Sequence, residues 1–254
     1  MRITRAVVPS LFTVLNMFCG FMSMIHASQG EFISAGWLII LAAGFDAVDG
    51  VMARITKSSS EFGVEIDSLS DMISFGAAPA FLVYQVELFR MGSAGILISS
   101  LLMVFAGLRL ARFNTQLVGF DKDHFVGLPT PVSALTAASF VLNFWSEVNG
   151  LGTAGSLLAP LVVLLSLLMV SKVRYDTLPK LSRKTIQKEP WKYIFLALAI
   201  VVVFFSAGGA ILPLLLLFIF LGIVRSGASL LRRMMKSRQE PDDDEEIASG
   251  RIEL

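Results

Sequence analysis

Residues 46–71 read DAVDGVMARITKSSSEFGVEIDSLSD and join the end of one apolar segment to the start of the next. The stretch therefore carries four aspartates at the margins of two hydrophobic segments. Asp46 and Asp49 are three residues apart and share one face of a helix. Asp67 and Asp71 are four residues apart and share one face of the following helix. Because ionisable side chains are costly inside a membrane span, each of the four is a candidate functional residue.

The composition of the chain is that of a multi-span membrane protein. Of its 254 residues, 55% are hydrophobic and only 16% are charged, too few to cover a soluble domain. A helix needs about 20 apolar residues to cross the hydrocarbon core. The predicted fold is an all-α integral membrane protein with about eight transmembrane helices, at approximately residues 8–26, 32–54, 66–89, 93–112, 128–146, 151–171, 191–207 and 211–231.

The distribution of Lys and Arg predicts the orientation of these spans. With eight spans, one side of the membrane holds both termini and every one of the 21 Lys and Arg residues except Arg90. The positive-inside rule then places both termini in the cytoplasm. We expect residues 1–236 to form one membrane domain and the acidic residues 237–254 to form a disordered cytoplasmic tail. A single cysteine, Cys19, excludes a disulfide within the chain.

The four aspartates are expected to meet just inside the cytoplasmic boundary, because the second span ends there and the third begins there. Asp46 lies eight residues before Arg54, roughly 12 Å along the helix axis. Carboxylates crowded in a low dielectric cannot all stay ionised without cations. Hard oxygen ligands favour Mg²⁺, Mn²⁺ or Ca²⁺. Two such ions would balance the four charges and would polarise a phosphoryl group.

Small residues continue the face of the second span that carries Asp46. Gly50 and Ala53 lie at i+4 and i+7 from Asp46, and Arg54 lies at i+8. Their lack of bulk would let a ligand lie against the helix. Close packing between membrane helices is the other explanation for such residues.

The pattern Asp46-x2-Asp49-Gly50-x2-Ala53-Arg54-x8-Gly63-x3-Asp67-x3-Asp71 resembles that of the CDP-alcohol phosphotransferase family at every position. Flanking segments narrow the resemblance to the membrane-bound type of phosphatidylserine synthase, and it extends from about residue 8 to residue 180. Phosphatidylglycerophosphate synthases usually have a proline and a lysine where this chain has Ser68 and Met72. The flanking segments are residues 9–20, 67–76, 109–114, 127–131 and 169–175.

The resemblance implies a phosphotransferase that converts CDP-diacylglycerol and L-serine into phosphatidylserine and CMP. It implies two divalent ions, Mg²⁺ or Mn²⁺ with Ca²⁺ as a further occupant, and Asp71 as general base on the serine hydroxyl. A homodimer in the plasma membrane is expected, with its active site at the cytoplasmic face, contacts to membrane lipids and no nucleic-acid partner. The implied metal ligands are Asp46, Asp49, Asp67 and Asp71, and the implied CDP-lipid contacts are Asp49, Gly50, Ala53, Arg54 and Gly63.

Further polar residues are candidates for contacts to the lipid phosphate or to serine. Arg109 and Arg112 lie near the cytoplasmic end of the fourth span, and guanidinium groups bind oxyanions well. Arginines that extend from a span to the interface are an equally good explanation. Asn114 and Thr130 are candidates for the acceptor pocket.

Other functions stay open at this level. One alternative is another family member whose acceptor is glycerol phosphate or inositol phosphate. Another is a family member whose donor is an archaeal-type lipid. A small-molecule transporter also carries aspartates at membrane depth, but near the midplane and in two repeated halves. A structural scaffold whose aspartates bind metal for stability would tolerate Asp71→Asn.

Overall fold

The structure is a computed structural model that describes residues 7–56, 61–117, 125–175, 206 and 208–237. These residues are almost entirely helical, which agrees with the predicted all-α class. The helices are α1 (Val7–Ser28), α2 (Phe32–Thr56), α3 (Glu61–Asp71), α4 (Ala78–Val86), α5 (Ser93–Leu117), α6 (Thr130–Phe144), α7 (Gly155–Val170) and α8 (Ile211–Ser237), with single turns of 3₁₀-helix at Leu88–Met91 and Gly152–Ala154.

Six segments of the described chain are long and apolar enough to cross a membrane. Six of the eight predicted spans correspond to them, and the predicted span 191–207 lies outside the described residues apart from the turn residue Ser206. The chain is therefore a multi-pass membrane protein. The six segments are Leu11–Ser28, Phe32–Met52, Phe62–Val86, Ser93–Thr115, Gly152–Val170 and Ile211–Ala228.

The predicted span 128–146 is present as the shorter helix α6, of 15 residues, or about 22 Å. Pro129 precedes the helix and Pro131 lies in its first turn, so the chain stays extended before Thr130. Trp145 ends the helix in an extended conformation and packs edge-on against Phe32, with 4.6 Å between the ring centroids. Because Phe32 begins α2, α6 ends at the same end of the bundle at which α2 starts.

The third span is one continuous helical run, in which a π-helix (Met72–Ala77) joins α3 to α4. The N–H of Ala78 donates to the carbonyl of Ile73, which is the i→i−5 bond of a π-helix. Pro79 follows, and it lacks the N–H that an α-helix would donate to residue 75. The wide turn thus begins directly after Asp71.

Small residues and serine hydroxyls hold α1 against this third span. A Cβ added to Gly20 would lie 2.7 Å from the Cα of Ser74, so the two backbones touch. The Ser74 hydroxyl donates to the carbonyl of Asn16 at 2.8 Å, and the Ser70 hydroxyl donates to the carbonyl of Thr13 at 3.0 Å. Close approach with interhelical hydrogen bonds is the usual way in which helices associate in a membrane.

A two-stranded antiparallel sheet, β1 (Phe125–Val126) and β2 (Arg174–Tyr175), was not predicted. It joins the segment before α6 to the segment after α7. Tyr175 is buried and stacks on Phe218 of α8, with 5.7 Å between the ring centroids, and burial raises the pKa of Tyr175 to about 12. The sheet therefore connects α6, α7 and α8 at one end of the bundle.

Candidate metal and active site

Asp46 on α2 and Asp67 and Asp71 on α3 bring three carboxylates together inside the bundle. One oxygen from each lies within 4.8 Å of the others, and all three side chains are partly buried. The i, i+4 spacing of Asp67 and Asp71 puts them on one face of α3, and that face meets α2. Three anionic groups this close repel one another strongly in a low dielectric. Their oxygens are the ligands that hard divalent cations prefer, so the cluster fits a metal of that class.

Asp49 lies one turn beyond Asp46 on α2 and faces both Asp46 and Asp67. It is buried, with 7% of its surface exposed, and its Oδ2 accepts a hydrogen bond from the hydroxyl of Thr13. Its Oδ1 is buried without a hydrogen-bond partner in the described part of the chain. The structure thus brings three of the four predicted aspartates into one group and sets the fourth directly beside it.

Unpaired polar atoms surround Asp71. Asp71 Oδ1 and the Nε of Arg109 are both buried, and neither has a hydrogen-bond partner among residues 7–56, 61–117, 125–175 and 208–237. Buried polar atoms almost always have a partner, so atoms without one indicate where a ligand or ion binds. The unpaired Asp71 oxygen adds to the fit of the cluster to a divalent cation, whereas the unpaired Arg109 nitrogen is a donor that suits an anionic ligand.

Arg109 and Thr130, two of the predicted acceptor contacts, meet at this site. The Nη1 of Arg109 donates to the Thr130 hydroxyl at 3.1 Å, and the guanidinium faces the carboxyl of Asp71. Asn114 donates from Nδ2 to the Ser68 hydroxyl at 2.9 Å, next to Asp67 in the chain. Arg112 is exposed on α5 and does not join the group.

The predicted CDP-lipid contacts lie along α2 and α3. Gly50 is exposed on α2, directly after Asp49, and Gly63 is half-buried on α3. Ala53 and Arg54 belong to the last turns of α2, and their side chains lie outside the described part of the structure. The backbone therefore agrees with the predicted common face of Asp46, Gly50 and these two residues.

Sequence reasoning assigns no role at the site to Thr13, Ser68 or Asn16. Thr13 contacts Asp49, Ser68 contacts Asn114, and Asn16 lies fully buried on α1 beside Asp71. The available signals are the presence of polar residues in apolar spans and their place in segments 9–20 and 67–76, which carry the resemblance without assigning them a role. Such residues are equally common as helix contacts in membrane proteins, so the signal does not separate the two roles.

Comparison with known proteins agrees with this geometry. A sequence model of the family described as CDP-alcohol phosphatidyltransferase matches residues 6–171, which include the whole aspartate cluster. The chain is similar to the CDP-diacylglycerol–serine O-phosphatidyltransferase of Helicobacter pylori, with 38% identity over 174 residues, 68% of this chain and 73% of the relative. It is also 38% identical over 181 residues to the archaetidylserine synthase of Methanothermobacter thermautotrophicus, covering 70% of this chain and 72% of the relative.

A third relative is the CDP-diacylglycerol–serine O-phosphatidyltransferase of Bacillus subtilis, which is 29% identical over 185 residues, 72% of this chain and 98% of the relative. The helical membrane fold and the buried aspartates, taken with these matches, define a multi-pass membrane phosphotransferase. The chain belongs to the CDP-alcohol phosphatidyltransferase family.

Proposed function

We propose that this protein transfers the phosphatidyl group of CDP-diacylglycerol to the hydroxyl of L-serine and releases CMP. The observation that carries the proposal is the group formed by Asp46, Asp67 and Asp71. It occurs in a chain whose relatives in Helicobacter and Bacillus are named for this reaction. Carboxylates that hold divalent cations would let a membrane protein bind a diphosphate at the lipid interface.

The four aspartates are proposed to hold two divalent ions, Mg²⁺ or Mn²⁺, with Ca²⁺ as a further occupant. Held by these residues, the ions would neutralise the charge of the diphosphate and polarise its phosphoryl group. Asp71 is proposed as general base as well as metal ligand. It takes the proton of the serine hydroxyl while the bond from that oxygen to phosphorus forms and the bond from phosphorus to the CMP oxygen breaks.

The donor is proposed to lie along the face of α2 that carries Asp49 and Gly50. The exposed Gly50 leaves the backbone open to a close approach by the diphosphate or cytidine. Ala53, Arg54 and Gly63 extend this surface, and the guanidinium of Arg54 suits a diphosphate oxygen.

The acceptor is proposed to bind on the α5 side of the cluster. Arg109 is the charged donor that faces Asp71, and Thr130 holds its guanidinium in place. Asn114 and the Ser68 hydroxyl border the same region. Arg112, which is exposed, is proposed to contact the phosphate of a lipid headgroup instead.

The site is proposed to open to the cytoplasm from the plasma membrane, in a protein of eight spans. Residues 1–236 would form its membrane domain and residues 237–254 an acidic cytoplasmic tail. The positive-inside distribution supports this orientation. The course of the chain supports placing both termini on one side, since α1 starts at the end of the bundle that carries Asp49 and α8 runs toward that end from a turn beside Trp37. A homodimer is proposed from the family resemblance alone.

A second candidate is the same transfer from an archaeal-type lipid donor. The observation that favours it is the 38% identity to a protein named archaetidylserine synthase. Glycerol phosphate and inositol phosphate are weaker candidates as acceptors. Each carries a phosphate dianion that the aspartates would repel. Arg109 is the cation that the described residues place beside the aspartates.

Release of CMP by the purified protein tests the proposal. The protein is incubated with CDP-diacylglycerol, Mn²⁺ or Mg²⁺, and serine, glycerol phosphate or inositol phosphate in separate reactions. We expect CMP with serine alone, and we expect it to vanish with EDTA and in Asp71→Asn. Ser23→Ala is the matched control, since Ser23 is a buried polar residue that bonds the carbonyl of Ala35, near the opposite end of α1. CMP with another acceptor only would contradict the serine assignment, and retained turnover in Asp71→Asn would favour a structural metal site.

A further inference from the structure

Asn16 is a buried amide in α1 that the mechanism above does not use. Its side chain is fully buried, with 0% exposure. Neither Nδ2 nor Oδ1 has a hydrogen-bond partner within the described residues. An amide left unpaired in a protein interior costs free energy for each unsatisfied group, so such a residue is rarely retained for packing alone.

The backbone of Asn16 is held in place from the third span. The Ser74 hydroxyl donates to its carbonyl at 2.8 Å, and Gly20, one turn further along α1, touches the backbone of Ser74. One turn earlier, Ser70 bonds Thr13 in the same way. These contacts turn residue 16 toward the segment 70–74, so its side chain cannot move to the lipid without separating the two helices.

Three side chains from three helices, each with an unpaired polar atom, therefore meet at one position. The amide of Asn16 faces the carboxyl of Asp71 without the geometry of a direct hydrogen bond, and the guanidinium of Arg109 faces the same carboxyl. Asp71 Oδ1 and Arg109 Nε are themselves unpaired in the described part of the chain. The position thus offers a neutral amide, an anion and a cation.

A zwitterionic amino acid with a side-chain hydroxyl complements this set. Its carboxylate suits the guanidinium, its hydroxyl suits the proposed base, and its ammonium group needs a neutral or anionic acceptor. An amide oxygen supplies that acceptor and adds no further negative charge to the aspartates. An acceptor that carries phosphate and lacks an amine cannot give this oxygen a hydrogen bond from a charged donor.

We propose that Asn16 is an acceptor-binding residue whose amide oxygen accepts a hydrogen bond from the ammonium group of the amino-acid acceptor. The inference rests on the proposed function, and it adds α1 to the acceptor pocket that α5 and α6 otherwise provide. Asn16 thereby selects an amino alcohol over an acceptor without an amine.

Asn16→Leu tests the proposal, because the leucine side chain has the same branching and number of heavy atoms as asparagine and no polar atom. We expect the KM for serine to rise about 10-fold or more, since a hydrogen bond to a charged group is lost. The KM for CDP-diacylglycerol and the Mn²⁺ concentration for half-maximal rate should stay within about twofold of the wild-type values, because Asn16 is proposed to contact only the acceptor. The melting temperature should not fall, since the unpaired amide is replaced by an apolar group.

Ser23→Ala is the matched control on the same helix. It loses the 2.9 Å bond from Ser23 to the carbonyl of Ala35, so it should lower the melting temperature and leave the KM for serine unchanged. Asn16→Ser, which is smaller and still polar, should fold even if Asn16→Leu does not, and should give an intermediate rise in the KM for serine.

Three results would overturn the inference. They are an unchanged KM for serine in both Asn16 variants, a rise in the KM for the donor instead, and a rise confined to the Mn²⁺ requirement. If the wild-type protein releases no CMP with serine, the proposed function fails first. If the wild-type protein releases CMP with serine and the Asn16 variants have the same KM for serine, the proposed function stands and only the inference on Asn16 fails.

Discussion

Arg109 donates a hydrogen bond from Nη1 to the hydroxyl oxygen of Thr130, with 3.1 Å between the two atoms. The bond joins the C-terminal half of α5 to the first residue of α6. It also turns the guanidinium toward Asp71, whose carboxyl the arginine faces. Thr130, at the start of α6, thus orients the guanidinium of Arg109 on α5 beside the aspartate cluster.

Thr130→Val should weaken the binding of serine. Valine keeps the shape of threonine and removes the hydroxyl, which leaves Arg109 free to take other rotamers. We expect the KM for serine to rise by about 5-fold to 10-fold, the equivalent of one hydrogen bond. Steady-state release of CMP measures this, with Thr136→Val as control, because the Thr136 hydroxyl bonds only the carbonyl of Val132 in its own helix. Equal KM values in the two variants would contradict a role for Thr130.

Asp46→Asn should remove most of the stabilisation that a divalent ion gives the folded protein. An ion that binds the native state alone stabilises it by an amount that grows with the logarithm of the ion concentration divided by its Kd, and so raises the melting temperature. We expect Mn²⁺ to raise the melting temperature of the wild-type protein, and the variant to need at least about 10-fold more Mn²⁺ for the same rise. Differential scanning fluorimetry over a range of Mn²⁺ concentrations checks this without any turnover. Identical curves would show that Asp46 binds no metal.

Gly20→Ala should separate α1 from the third span. The new Cβ would lie 2.7 Å from the Cα of Ser74, a backbone atom that cannot move aside. We expect a loss of about 1–3 kcal/mol of stability, as is typical of overpacking, together with a loss of turnover. Gly44→Ala in α2 is the control, since no atom lies within 4 Å of its added Cβ. Thermal unfolding in detergent compares the two, and equal stability would mean that the Gly20 contact is not tight.

Tyr175→Phe should make the protein less sensitive to alkaline pH. Burial raises the pKa of Tyr175 to about 12 in the folded protein, whereas the unfolded value is about 10. Between these values the unfolded chain releases the tyrosine proton and the folded protein retains it, so stability falls as pH rises from about 10 to about 12. Phenylalanine has no such proton and keeps the stacking on Phe218. Melting temperatures from pH 8 to pH 11 should therefore fall less steeply in the variant, and parallel curves would contradict the burial of the hydroxyl.

The helical class and the pairing of the aspartates could be predicted because both depend on local periodicity. Apolar runs of about 20 residues form spanning helices in lipid, where the backbone must satisfy its own hydrogen bonds. The spacing of Asp67 and Asp71 similarly fixes a common helix face. The π-helix after Asp71 could not be predicted, because its i→i−5 bonds depend on packing against α1 and α5 as well as on Pro79. The sheet formed by Phe125–Val126 and Arg174–Tyr175 was not predicted, because strands of two residues are too short to show an alternating pattern of apolar and polar residues.

The sequence by itself determined the helical class, the six long apolar spans of the described chain, and which carboxylates share a helix face. These features follow from hydrophobicity and from 3.6 residues per turn. Only the tertiary structure decided that Asp71, rather than Asp49, joins Asp46 and Asp67 in the close group. It also decided that Asn16 and Arg109 face the same carboxyl from different helices. Such relationships depend on how helices rotate and approach one another, which is set by contacts such as Gly20 with Ser74 between residues far apart in the chain.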